Sequence, residues 1–156
     1  MHSLIGIHAG LGEIGALAFL WMLVELLNSS ESSIRRAKTA ALIGTVFLFL
    51  SWFVGGYYYL EHYGPHVKAL IKAGPVPWAH NVITETKEHV FLFLPFLAIL
   101  TWATLKRYGN SIMSDRRAKI AAIILAGLIV AIAFSMAGMG YLISSGFRSA
   151  LESKVL

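Results

Sequence analysis

The sequence predicts an all-α integral membrane four-helix bundle with a short interfacial helix in its middle loop. Three observations lead there. First, 57% of the 156 residues are hydrophobic and only 13% are charged, where an ordinary soluble domain carries roughly 25% charged residues. Second, the charges are confined to short stretches, and between them lie four apolar runs of about 20 residues or more, enough to cross ~30 Å of hydrocarbon at ~1.5 Å per residue. Third, the runs lack the strict alternation of a membrane barrel. Inside hydrocarbon the backbone must satisfy its own hydrogen bonds, so such runs are helices. A chain of this length is read as one transmembrane domain, residues 1–156.

The elements follow in order. Span one covers about residues 4–27. It starts almost at Met1, has no basic residues before it and is longer than a signal-peptide core, so it reads as a retained span. Asn28 to Ser33 ends it and supplies caps for the next helix. Span two covers about 37–60. In the middle loop Pro65 suits the first position of a short helix and Gly74 its end. Val67, Leu70 and Ile71 give that helix an apolar face for the membrane surface. Pro75 and Pro77 stop it, Trp78 is an interfacial anchor, and Tyr57, Tyr58, Tyr59 and Tyr63 read as an aromatic belt. Span three covers about 83–105, with a kink expected at Pro95. A polar loop with Gly109, Asn110, Ser111 and Asp115 precedes span four, about 120–143.

Charge sets the expected orientation. The loops after spans one and three carry Arg35, Arg36, Lys38, Lys106, Arg107, Arg116, Arg117 and Lys119, while the other side carries Lys68, Lys72, Lys87, Arg148 and Lys154. The positive-inside rule places the first group in the cytoplasm. Both termini and the middle loop then lie outside, on the periplasmic side of a bacterial inner membrane. The net charge of +5 sits at span ends, where it anchors helices at the headgroups, and so does not point to nucleic acid. The absence of cysteine excludes disulfides, thiolate metal sites, iron–sulfur clusters and covalent c-type haem attachment.

The chemistry-bearing residues gather at one level. All six histidines (His2, His8, His62, His66, His80 and His89) fall in the outer half, with Glu13, Glu61, Glu85 and Glu88. His2 and His66 read as solvated or at the headgroups, and His80 as a loop residue or a cap of span three. His8 lies about one turn inside span one, His62 closes span two, and His89 lies one to two turns inside span three. An imidazole buried in a span needs a partner to offset its desolvation, so His8 and His89 are the expected ligand pair, with His62 as substitute or as ligand to a second group. Small residues that let helices approach a flat macrocycle share this depth: Gly12 and Gly15 in span one, Gly55 in span two and Gly138 in span four. Their ordinary role is close helix packing. Glu85 and His89 are four apart and share a helical face, so Glu85 is a candidate for orienting the ring or binding metal. Glu13 lies deeper, as a proton carrier or a structural acid. Met136 and Met139 are possible sulfur ligands, though methionine in a core is usually filler.

These residues carry a resemblance. His8 in GIHAGLGEIG, the WFVGG turn of span two and His89 in ETKEHVF make the chain similar to small bacterial four-helix membrane proteins of the b-type cytochrome kind, through topology and histidine placement. The resemblance implies one or two haem b groups, and electron transfer between a quinone and an outer-side redox partner. Two other readings stand beside it. One is a non-haem metal-binding membrane protein built from the same carboxylates and imidazoles, although the Glu-x-x-His pairs of di-iron bundles are absent. The other is a non-catalytic accessory subunit of a larger respiratory or photosynthetic complex. Besides the lipid bilayer, the expected partners are other membrane subunits or further copies of the chain. Whether the chain is an enzyme is left open, with no catalytic residue assigned, and no hydrolase, P-loop or dinucleotide-binding signature is present.

Overall fold

The computed structural model describes residues 3–28 and 30–155, so His2 lies outside the described residues. Among them the chain is all helix, without a strand. Four helical runs are long and apolar enough to cross a membrane. The first is α1, Ser3–Leu27. Ser30 then caps α2, Glu31–Tyr58, its hydroxyl accepting from the Ser33 amide at 3.1 Å, which satisfies one of the donors a helix start leaves open.

Beyond Tyr58 the helix does not stop where hydropathy suggests. A π-helical segment, Tyr59–Val67, carries it into α3, Lys68–Ala73. Pro65 lies within this wider turn rather than opening a separate helix; it has no N–H to donate and crowds a regular α turn. The apolar face expected to lie on the membrane is turned instead onto protein. Val67 and Ile71 are buried in a cluster with Tyr63 and Ala79, against Ile143 and Phe147 of the last helix.

After the turn through Gly74, Pro75 and Pro77, a second π segment, Ala79–Thr84, leads into α4, Glu85–Tyr108. Pro95 is buried within α4. A short 3-10 turn, Gly109–Met113, gives way to α5, Arg116–Glu152, whose first turn is capped by Asp115. α5 therefore runs well past residue 143, where the apolar run fades.

The helices close a ring. α1 packs against α2 and α5, and α4 packs against the same two on the other side. The α1–α2 hairpin is the tightest seam: a Cβ on Gly44 would sit 2.6 Å from the Phe19 ring, and one on Gly15 would sit 2.9 Å from Leu48. The core lies in the half of the ring near the α1–α2 connection, where Phe19, Met22, Leu26, Ile34, Leu105 and Ile129 are fully buried. Arg36 clamps that end by a two-pronged bond to Glu25, at 2.7 and 2.8 Å. The outward surface is apolar, with Leu17, Val24, Val46, Phe53, Phe93, Phe96, Ile124 and Phe134 all exposed, the surface a bilayer-crossing bundle presents to lipid.

A polar-edged cavity in the open half of the bundle

The half of the ring away from that core, predicted to face outward, does not close. α1, α2 with its π extension, α4 and α5 surround a cavity of about 1780 Å3, larger than the ~300–1,000 Å3 of most small-molecule pockets. Its wall is mostly apolar and aromatic. The imidazole, acid and basic side chains on it are His8, Glu13, His62, His66, Lys87, Glu88 and Arg148.

His8 is the best-defined of these. Its Nδ1 lies 2.9 Å from the Ser51 carbonyl oxygen and 3.0 Å from Ser51 Oγ, and the Ser51 hydroxyl is 2.9 Å from the His8 carbonyl. Carbonyl oxygens only accept. The Ser51 hydroxyl therefore donates to the His8 carbonyl, and Nδ1–H donates to Ser51. Nε2 of the neutral ring is left with a lone pair. Space for the ring comes from Gly55, where a Cβ would sit 2.7 Å from Nδ1. The Phe91 ring meets it edge-on at 5.4 Å.

His62 reaches the same cavity from the π segment. It stacks on Tyr58, centroids 6.0 Å apart, and meets His66 edge-on at 6.1 Å. His89 does not join them. It is exposed and off the cavity wall, and its Nδ1 donates to the Glu85 carbonyl one turn back at 2.6 Å. The expected His8–His89 pair is thus not brought together, whereas His8 and His62 share one chamber.

The remaining predicted residues divide. Glu13 and Gly12 line the cavity, and Gly12 also faces Ser51, a Cβ there lying 3.2 Å from its hydroxyl. Gly15 lies off the wall and serves the α1–α2 seam. Gly138 is exposed, with open space around it. Met136 lines the cavity; Met139 does not. The Glu85 carboxylate does not orient His89; Oε1 lies 3.3 Å from His80 Nε2.

Three features escaped sequence reasoning. Lys87 lines the cavity, its Nζ 3.2 Å from where a Gly140 Cβ would stand. Glu88 lies beside Tyr59, and its Oε1 is buried without a hydrogen-bond partner among the described residues. His80, expected in a loop or cap, is 1% exposed and bonded to Tyr63. Glu88 was legible as an acid beside a span, but nothing in α-helical spacing signals the His80 cluster. Among the described residues no three His, Asp or Glu side chains gather as a metal-ion site.

Comparisons with protein-family models, curated proteins and solved structures find no match for this chain.

Proposed function

We propose that this protein is a membrane-embedded b-type cytochrome. In this reading His8 and His62 would hold the haem iron, and electrons would pass between a quinone and a redox partner at the outer face. The observation that carries the reading is the Nδ1–H tie of His8 to Ser51, which presents a neutral imidazole with Nε2 as its available nitrogen on the wall of a large apolar cavity. Haem-ligating imidazoles are oriented by such a bond on the non-ligating nitrogen.

Other features of the chamber fit the same group. The volume accommodates a macrocycle. Tyr58, Phe91 and Trp52 supply aromatic wall, and Lys87 and Arg148 offer cations for the acid groups a haem carries. When bound, haem supplies a one-electron carrier whose potential depends on its ligands, hydrogen bonds and burial. The chain's own contribution is to fix the His8 tautomer, to exclude water with the packed core beneath the chamber and to place cations at its edge. Glu13 and Glu88 are the acids able to exchange protons with a quinone in the same chamber.

Titrating haem into the purified protein tests this. A Soret band saturating at one haem per chain is expected. His8→Ala abolishes it and His62→Ala weakens or shifts it, whereas His89→Ala leaves it unchanged. Binding that depends on His89 and not on His8 contradicts the assignment.

A further inference from the structure

A second polar cluster sits beside the cavity. Tyr63 and Thr84 belong to the cavity wall, and both are buried. The Tyr63 hydroxyl lies 2.9 Å from Thr84 Oγ1 and 2.9 Å from His80 Nδ1. Thr84 Oγ1 lies 2.9 Å from the Ala79 carbonyl oxygen, and His80 Nε2 lies 3.3 Å from Glu85 Oε1. The Glu85 side chain is 43% exposed. A continuous line therefore runs from the cavity wall through a buried imidazole to a surface carboxylate.

Counting protons shows what the line can do. It contains three hydrogen bonds, each with one hydrogen between its two heavy atoms, and a fourth close contact, His80 Nε2 against the Glu85 carboxylate at 3.3 Å, that is favourable only if a hydrogen lies on the nitrogen or the acid. The Ala79 carbonyl only accepts, so the Thr84 proton is used there. The Tyr63 proton must then go to Thr84, and Nδ1–H of His80 to Tyr63. The fourth contact, Nε2 against the Glu85 carboxylate, has no proton left if His80 is neutral and Glu85 ionised. Three resident protons serve four contacts, and an unprotonated fourth contact sets a lone pair against an anion. One further proton completes the network. Its removal leaves a gap that moves along the line as hydroxyls and ring reorient.

We propose that Tyr63, His80 and Glu85 form a proton relay between the cavity and the bundle surface, with the His80–Glu85 pair as its resting place. A proton arriving at Glu85 moves to Nε2. The ring then passes its Nδ1 proton to the Tyr63 oxygen, Tyr63 passes its own to Thr84 Oγ1, and the Thr84 hydroxyl turns from the Ala79 carbonyl to give up its proton at the cavity wall. The reverse sequence carries a proton out; only N–H and O–H bonds break and form, and no bond between heavy atoms changes. The charges facing His80 are Lys68 and Lys72 of α3, which disfavour the extra proton, and Glu85 of α4, which favours it. The network is independent of what the cavity binds; its service to quinone chemistry rests on the cytochrome reading.

The test uses the full chain in nanodiscs with its histidine ring nitrogens labelled, followed by NMR from pH 8 to pH 5. The expected wild-type result is a His80 signal passing from a single protonated nitrogen to both protonated, with Nε2–H bonded to a carboxylate. Glu85→Gln shifts that transition to lower pH. Tyr63→Phe removes two contacts and one proton, so the remaining contacts are satisfied without the extra proton and His80 becomes a neutral Nε2–H ring. A wild-type His80 that already holds the neutral Nε2–H form throughout, or one whose titration is unchanged by Tyr63→Phe, overturns the relay. On haem-loaded protein, the pH dependence of the midpoint potential is expected to flatten in Tyr63→Phe, and an unflattened dependence counts against the relay. Failure to load haem overturns the cytochrome reading alone, and the NMR arm still decides the relay.

Discussion

His8 depends on its neighbours. Ser51 fixes its tautomer and Gly55 leaves room for its ring. Gly55→Ala places a methyl 2.7 Å from Nδ1, so the ring must turn away. Haem titration of that variant should show loss of the Soret band with helix content retained by circular dichroism. Gly138→Ala, with open space around it, should bind as wild type. Ser51→Ala keeps the carbonyl acceptor but loses the hydroxyl, and haem affinity should fall about tenfold, the scale on which ligand-orienting partners act. The sequence did single out His8 and Gly55, because both are unusual within an apolar run. It expected His8 and His89 together, and the structure leaves His89 exposed and off the cavity wall, because depth along a helix was legible and direction around it was not. Glu85 four residues earlier suggested a partner for the His89 ring, but the backbone carbonyl takes that nitrogen and the carboxylate turns to His80.

Elements explain why His80 was hidden. In a π turn, residues five apart stand one above the other. His80 meets Glu85 at that spacing, as Thr84 meets Ala79, while a search at three and four residues passes over both. Burial pushes the His80 imidazole below its ordinary value, Lys68 and Lys72 add to this and Glu85 opposes it. The folded protein therefore binds fewer protons at His80 than the unfolded chain does around pH 6.5. That contribution to stability is full above about pH 6.5 and is lost as pH falls below it. Thermal melts in detergent should drop from pH 7.5 to pH 5, and less steeply for His80→Gln. The extension of α2 through Tyr59–Val67 was hidden for a related reason: Pro65 and the polar residues around it read as a stop, and the wider turn accommodates both. The four long apolar helices were legible throughout, because twenty apolar residues in a row constrain a backbone far more than any local preference does. The α1–α2 seam adds an independent check. Gly44→Ala forces a methyl to 2.6 Å from Phe19, and unfolding in denaturing detergent should show a loss of about 1–3 kcal/mol.

At the scale of the molecule, the bundle is asymmetric along its length. One end is filled by large buried side chains and locked by Arg36 and Glu25, while the other surrounds a chamber. Packed interiors resist opening, and segments with fewer buried contacts open first. Hydrogen exchange should therefore be fastest around the chamber, in the π segments and in α5 beyond residue 143. A ligand that binds only the folded state stabilises it in proportion to the logarithm of its concentration over its dissociation constant. Haem should slow exchange in that half and leave the packed half nearly unchanged. The apolar outer surface and the four long helices follow from composition alone, but the chamber does not. It arises because glycines, aromatics and charged residues at one depth cannot fill the space that the Phe19, Met22 and Ile129 layer fills below. The most direct test of the central claim is the absorption spectrum of the purified wild-type protein, expressed with ample haem, oxidised and then reduced with dithionite. A Soret band that sharpens and shifts on reduction, with a resolved α band, is the predicted result, and its absence from His8→Ala assigns it to the chamber. A featureless visible spectrum from folded wild-type protein contradicts the account.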